Sequence, residues 1–242
     1  MFYVGADVCR KYWFTVKLAG WGNCEVKRFS NIEELWKEYK DAELILLDIP
    51  IGLPHRDYNV RSCDIEARKL LVKRRSSVFP APYRRAVYSD NYKRASKINK
   101  EEIGRGLSLQ TWGIIPKIKE VDQLLRNDKT ARARIREIHP EVCFWALNGK
   151  RPMEYSKKEK DQKGIQERKS VLISVYPDSE AIFECAERKY PRKEVARDDI
   201  LDALVAAVTA YKGRQGLKSI PEVSEFDSHG LPMEMVYFLP AK

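Results

Sequence analysis

The sequence lacks the features that mark several common classes of protein. No run of apolar residues is long enough to span a membrane, and no signal-peptide pattern opens the chain. The five cysteines are scattered and contain no CxxC pair, so we expect free thiols in a reducing cytoplasm. Neither a Walker-type glycine-rich loop nor a GxGxxG segment is present. These absences argue against a membrane partner, a disulfide scaffold and a standard nucleotide-binding loop.

Positive charge is what the sequence has in excess. Lysine and arginine number 45 against 35 acidic residues, which leaves a formal net charge of +10 over 242 residues. Such a balance favours an anionic partner, most often nucleic acid, although a basic surface can also serve only solubility. The hydrophobic fraction of 43% is enough for a real core, and the length fits one large domain, or one domain with an insertion.

The most informative stretch is an apolar helix that opens with acids. Residues 197–208 carry three aspartates at the start and then no polar side chain before Thr209. A helix that is apolar almost all round is a buried helix. Asp199 and Asp202 share one face of it, and an ionised carboxylate is costly to bury without a cation or strong donors. Helix capping is the alternative explanation, and it accounts best for Asp198.

Two more aspartates end predicted strands. Asp7 follows a short apolar run, and Asp48 ends the continuous apolar run of residues 43–48, which is typical of a strand buried on both faces. An acid at a strand end can simply mark the exit to solvent. However, ligand sites in open α/β sheets lie at the carboxyl ends of strands. Together with Asp199 and Asp202, these residues predict a site for a hard cation such as Mg²⁺.

The order of elements predicts an α/β or α+β fold. Three strands, a helix and the buried strand come first, and residues of about 52–130 form a helical insertion or cap outside that pattern. A further strand near Glu137 precedes a helix that Pro140 starts. We expect the stretch after Pro221 to be a tail, with a last strand at 235–239.

Further candidates for a functional site lie outside the four aspartates. Glu137 is another acid near a strand end, and His139 beside it is either a catalytic group or a structural one. Basic residues interleaved with serines and aromatics suit phosphate contacts and base stacking, although they can also form only a solvated loop. The candidates for nucleic-acid binding are Arg74, Arg75, Ser76, Ser77, Tyr83, Arg84, Arg85, Lys158 and Lys163.

Several of these motifs together resemble one prokaryotic family of predicted RNase-H-like nucleases of unknown function. The similarity runs from Asp7 to about Thr209, most of the chain. Two positions depart from the family, which usually has glycine where this chain has Val8 and Tyr12. The motifs are DVCR at 7–10, DIPIGLP at 48–54, RRSSVFP at 74–80, EIHPE at 137–141, SKK at 156–158 with Gly164 and Arg168, and DDILDA at 198–203.

The resemblance implies a ribonuclease-H-like fold, a mixed sheet flanked by helices. Residues 1–242 would form one such domain, with the helical insertion of 52–130 inside it. More distantly, the order of parts is similar to RuvC-type Holliday-junction resolvases, whose basic segment matches Lys158 and Lys163 loosely. Their catalytic acids match Asp7, Asp48, Asp199 and Asp202. We therefore expect these four aspartates to hold Mg²⁺ or Mn²⁺, with two ions about 3.5–4 Å apart, and Glu137 to be a further catalytic acid.

Three functions remain open on the sequence alone. The first is an endonuclease that hydrolyses phosphodiester bonds with a carboxylate-held metal site. The second is a nucleic-acid-binding protein without catalysis, which the intact acids count against. The third is a phosphotransferase or phosphoesterase on the same scaffold, and residues 8–11 lack the glycine and hydroxyl groups that a phosphate-gripping loop usually carries. DNA or RNA as the partner, and a monomer or a homodimer, are not decided.

Overall fold

A five-stranded mixed sheet forms the centre of the fold. The computed structural model describes residues 1–20, 22–158 and 161–240. The strands of the sheet are β1 (Tyr3–Cys9), β2 (Tyr12–Leu18), β3 (Cys24–Phe29), β4 (Leu44–Leu47) and β5 (Ile135–Glu137). Their order across the sheet is β3-β2-β1-β4-β5, with β2 antiparallel to both neighbours and β1, β4 and β5 parallel to one another. The predicted mixed sheet flanked by helices is therefore confirmed.

Helices cover both faces of this sheet. They are α1 (Ile32–Tyr39), α2 (Ser62–Leu71), α3 (Arg84–Val87), α4 (Tyr92–Ile103), α5 (Leu109–Asn127), α6 (Lys129–Arg134), α7 (Pro140–Leu147), α8 (Lys163–Val175), α9 (Ser179–Lys189) and α10 (Arg197–Lys212). No helix in the described ranges is long and apolar enough to cross a membrane. Between β4 and β5 the chain forms α2 to α6, and the division into one domain with an insertion at 52–130 stays a prediction.

The alternation of side chains along the strands divides the core into two layers. Phe14 and Val16 face the layer that contains α7 to α10, whereas Val4 and Ala6 face the layer that contains α1 and α5. Asn31 caps α1 by accepting a hydrogen bond from the Glu34 N–H group at 2.8 Å. The two layers bury both faces of β1 and β4, which explains why these strands are apolar apart from Asp7.

The C-terminal stretch differs from the predicted tail. It forms two antiparallel strands, β6 (Lys218–Phe226) and β7 (Pro232–Tyr237), in a sheet of their own, so the expected strand at 235–239 is displaced. Glu234 of β7 pairs with Arg136 of β5 at 2.7 Å, which ties the hairpin to the main sheet. The sequence of β6 is mostly polar and exposed. Its pairing with the buried β7 therefore could not be inferred from an apolar run.

Gly5 allows α10 to lie directly against β1. A Cβ atom at Gly5 would stand 2.1 Å from the Ala207 nitrogen and 2.2 Å from the Ala203 oxygen. Both distances are to backbone atoms of a buried helix, which has no room to move aside. The close approach sets the position of the first turns of α10 relative to the ends of β1 and β4.

Replacing Gly5 tests this packing. We expect Gly5→Ala to lower the free energy of unfolding by at least about 3 kcal/mol, the upper part of the range for overpacked cores. Gly113→Ala is the matched control, because Gly113 lies inside α5 with nothing within 4 Å of its added Cβ. That change should instead stabilise the protein by about 0.5–1 kcal/mol. Urea denaturation of both variants measures the difference, and equal stabilities would show that α10 is not closely packed.

Candidate metal centre

Three carboxylates converge where β1, β4 and α10 meet. Asp7 lies near the end of β1, Asp48 follows β4 directly, and Asp202 lies in the second turn of α10. One carboxylate oxygen from each residue lies within 4.8 Å of the other two. Because β1 and β4 are parallel neighbours, their carboxyl ends fall at the same edge of the sheet. The buried helix α10 contributes Asp202 as the third carboxylate.

Burial makes the negative charge of this group unfavourable. Asp7 is 7% exposed and Asp202 is 8% exposed. Burial and then the charge of Asp48 raise the pKa of Asp7 well above its usual range, and burial and then Asp202 do the same for the pKa of Asp48. Burial also raises the pKa of Asp202 to about 6, although a lysine beside it acts in the opposite direction. A bound cation would favour the ionised form of all three.

The donor set of this group fits a hard divalent cation. Within the described residues, Asp202 Oδ1 is buried and has no hydrogen-bond partner. A buried carboxylate oxygen without a partner is costly, and metal coordination would satisfy it. The group offers oxygen ligands, which Mg²⁺ and Mn²⁺ prefer over softer metals. Asp7, Asp48 and Asp202 therefore form a candidate centre for such an ion.

Asp198 and Asp199 lie in positions opposite to those expected, since Asp199 caps the helix and Asp198 lines the cavity. Asp199 lies outside the three-carboxylate group, and its Oδ2 accepts a hydrogen bond from the Ala196 N–H group at 3.1 Å. It therefore caps α10 from the third helical position. Asp198, for which capping was the better explanation, lines the cavity beside Asp202. Spacings of three and four residues both place side chains on one helix face, so the position of the helix start decided between them.

Glu137 is held in a buried ion pair. Its oxygens lie 2.6 and 2.8 Å from the Arg61 guanidinium nitrogens, and one of them also accepts the Ile51 N–H group at 2.5 Å. Arg61 in turn contacts Asp64 at 2.7 Å. These contacts occupy both Glu137 oxygens, although the residue lines the cavity. Glu137 therefore holds the loop after β4 in position through Ile51 and Arg61. The geometry gives no support to the catalytic role expected for Glu137.

Lys157 is a functional candidate that the sequence analysis missed. Its ammonium group is bonded to Asp202 Oδ2. Burial alone would lower the pKa of Lys157, but the charges of Asp202 and Glu141 outweigh burial and raise it. Lys157 is therefore a cation inside the acidic group. The SKK motif at 156–158 could have identified Lys157, but the resemblance to RuvC-type resolvases points to the neighbouring Lys158.

A cavity of about 410 Å³ lies over the carboxylates. Part of its wall comes from the segment Val72–Ser77, a short 3₁₀ helix after α2. This segment contributes three of the predicted nucleic-acid-binding residues, and a fourth follows Lys157 in the chain. The cavity therefore combines acidic groups with cationic and hydroxyl groups, namely Arg74, Ser76, Ser77 and Lys158.

The other predicted nucleic-acid contacts lie outside this cavity. Tyr83 is 5% exposed, which leaves no ring face for a base to stack on. Arg84 is bonded to Asp227 and, at 2.6 Å, to Asp122, so it serves as a structural ion pair. The exposed Arg85 pairs with Glu102 at 2.7 Å. Arg75 is exposed beyond the cavity wall, and Lys163 lies at the start of α8, where it contacts Asp161. We therefore leave these five residues out of the candidate site.

His139 also lies on the cavity wall. Its Nε2 is 3.3 Å from the Ser77 carbonyl oxygen, and within the described residues its buried Nδ1 has no partner. Burial lowers the pKa of His139, so the ring is neutral at pH 7. A neutral ring does not add positive charge near the acidic group.

Fold and site together define an α/β protein with a candidate metal centre at the carboxyl edge of its sheet. Residues 5–225 match the family described as "Protein of unknown function (DUF429)", and the chain belongs to that family. No curated protein and no solved structure gives a significant match.

Asp7→Asn tests the metal centre through stability. Without metal we expect this variant to melt higher than the parent, because one of three mutually repelling carboxylate charges is removed. It should also lose most of the stabilisation by Mn²⁺, which for the parent reaches about 2.7 kcal/mol at a hundredfold excess over the dissociation constant. Asp199→Asn is the control: Asp199 lies outside the three-carboxylate group, and the amide oxygen of asparagine can still accept the Ala196 N–H bond, so this variant should keep the Mn²⁺ response. Melting curves in EDTA and in MnCl₂ measure both effects. A parent-like Mn²⁺ response in Asp7→Asn would place the centre elsewhere.

Lys157→Met tests whether the lysine acts as an internal cation. The variant should melt lower than the parent in EDTA, because the acidic group loses a compensating charge. Calorimetric titration should show about tenfold tighter Mn²⁺ binding, equivalent to about 1.4 kcal/mol, because no ammonium group competes for Asp202. Lys158→Met, at the exposed neighbour, should change neither quantity. Unaltered Mn²⁺ affinity in Lys157→Met would show that the lysine and the ion do not share a position.

Proposed function

We propose that this protein is a metal-dependent nuclease with a ribonuclease-H-like fold, which hydrolyses phosphodiester bonds in nucleic acid. The observation that carries the proposal is a group of three converging carboxylates, two of them buried, set beside cationic and hydroxyl side chains in one cavity. Within the described residues, one buried oxygen of this group has no hydrogen-bond partner. A phosphodiester needs both kinds of group: cations for its own charge, and carboxylates to hold the cation that promotes attack by water.

The arrangement of the acids supports the fold assignment. The sheet order β3-β2-β1-β4-β5 puts the first and fourth strands side by side. Asp7 lies near the carboxyl end of the first, and Asp48 directly follows the fourth. The third aspartate comes from the opening of the last helix. This is the arrangement that the resemblance to RNase-H-like nucleases leads one to expect.

The division of roles among the residues follows from their chemistry. Asp7, Asp48 and Asp202 would hold Mg²⁺ or Mn²⁺. When bound, such ions promote the attack of water and stabilise the leaving oxygen. Arg74 and Lys158 would neutralise the phosphate. In the reaction, the water oxygen bonds to phosphorus, the bond to one ester oxygen breaks, and that oxygen takes up a proton. One new strand end carries a phosphate and the other a hydroxyl.

The turn between the first two strands argues against the phosphotransferase alternative. Cys9 pairs with Tyr12, so only Arg10 and Lys11 connect β1 to β2. Arg10 has a φ angle of 56°, as a tight hairpin turn requires. A two-residue turn without glycine or a hydroxyl group offers no loop that could wrap around the phosphates of a nucleotide.

A cleavage assay tests the proposal directly. We expect the parent to cut end-labelled DNA or RNA in Mg²⁺ or Mn²⁺, and Asp7→Asn and Asp48→Asn to lose activity by at least a hundredfold. Binding should weaken as salt rises, and replacing Arg74 and Lys158 together with glutamine should flatten that dependence. Arg85→Gln is the matched control outside the cavity and should behave like the parent. Binding without cleavage by the parent in either metal would leave a nucleic-acid-binding protein.

A further inference from the structure

The cavity contains groups that neither metal binding nor phosphate binding needs. Phe79, Ile114 and Gln110 line it together with the charged residues. An aromatic ring and an aliphatic side chain supply neither oxygen ligands for a hard divalent cation nor hydrogen bonds for a phosphate, and a neutral amide is a poor substitute for a basic group. The same three groups suit a nucleobase, which stacks on aromatic rings and exchanges hydrogen bonds with amides.

The ring of Phe79 is available for stacking. Phe79 is only half-buried, and within the described part of the chain its ring makes no contact with another aromatic ring or with a cation. Gln110 is exposed at the start of α5, and its side-chain amide forms no hydrogen bond within the described residues. Neither side chain is therefore held by contacts of this kind within the described residues, although both line the cavity over the carboxylates.

The size and depth of the cavity limit what can reach the carboxylates. Its volume of about 410 Å³ lies in the range of pockets that enclose small molecules, about 300–1,000 Å³. Asp7 and Asp202 are almost completely buried below it. Segments from separate parts of the chain bound it, including α5, the 3₁₀ helix and β7 through Met235. Both strands of a continuous duplex cannot enter a pocket of this volume.

We propose that the cavity takes up one unpaired nucleotide of the strand being cut, so that the substrate is single-stranded or locally unpaired nucleic acid rather than continuous duplex. This inference rests on the proposed nuclease function. The phosphate would face the carboxylates and Arg74, and the base would lie against Phe79 within reach of Gln110. In a duplex, a nucleotide must first be extruded from its stack, which is easiest where the pairing is already broken.

Matched substrates test the inference. One labelled sequence is prepared as a single strand, as a full duplex and as a duplex with a central mismatched bubble. In Mn²⁺ the parent should cut the single strand and the bubble at least tenfold faster than the full duplex, and should cut the bubble inside its unpaired part. Equal rates on all three substrates, abolished by Asp7→Asn, would overturn the inference and leave the nuclease function standing. No cleavage and no binding of any substrate would overturn both.

Variants of the wall test the role of the base pocket. Phe79→Ala should weaken binding of the single strand about tenfold, because stacking of a base on an aromatic ring is lost. Phe79→Trp should restore binding, which separates stacking from a merely structural role. Gln110→Ala, at an exposed position that folding does not need, should weaken binding several-fold. Leu109→Ala is the matched control, since the neighbouring Leu109 is 72% exposed and lies outside the cavity.

A fluorescent base reports on the pocket independently of cleavage. Single-stranded DNA that carries 2-aminopurine is titrated with the protein in Ca²⁺, a hard cation that oxygen ligands also bind. Stacking of the base on Phe79 should change its fluorescence in the parent and in Phe79→Trp, and much less in Phe79→Ala. Equal fluorescence changes and equal affinities for the parent and Phe79→Ala would show that no base enters the pocket.

Discussion

The close contact between α10 and β1 is the constraint on which the candidate site depends. Because Gly5 has no side chain, the backbone of α10 lies directly on the strand, and Asp202 reaches the ends of β1 and β4. A helix held further away by even a methyl group would leave the third carboxylate apart from the other two. The apolar residues of α10 bury the helix against β1. This burial brings Asp202, in the second turn of the helix, next to Asp7 and Asp48.

Two buried arginines then hold the loops around the carboxylates. Arg61 connects the loop after β4 to Glu137 of β5. Arg168 of α8 contacts both oxygens of Glu141 at 2.6 and 2.8 Å and donates to the Tyr155 carbonyl at 3.0 Å, which positions the segment that carries Lys157. Removing one partner of a buried pair typically costs about 3–5 kcal/mol, because the other charge is left buried and uncompensated. The two arginine pairs thus connect the chain segments that bound the cavity.

The cavity contains an acidic group at its base and basic residues on its wall. The chain has a net charge of +10, yet the cluster of Asp7, Asp48 and Asp202 at the sheet edge is acidic. Lys157 offsets part of that charge from inside, and Arg74 and Lys158 stand on the wall. The basic residues attract a polyanion, whereas the carboxylates attract a metal cation. In the proposed function, this separation would favour a phosphodiester over a neutral substrate.

The sequence by itself determined the elements and the acids that end them. Continuous apolar runs predicted β1, β4 and α10, and strand ends and helix spacing identified Asp7, Asp48 and Asp202, because burial and periodicity leave a local pattern. Only the tertiary structure showed that Asp198 lines the cavity while Asp199 caps the helix, because spacings of three and four residues both suit one helix face. It also placed Lys157 against Asp202, a residue far away in the chain. It also decided that Arg84 pairs with Asp122 and Asp227 inside the protein and that β6 pairs with β7. Those contacts join residues far apart in the chain, and their energy depends on neighbours that no local window contains.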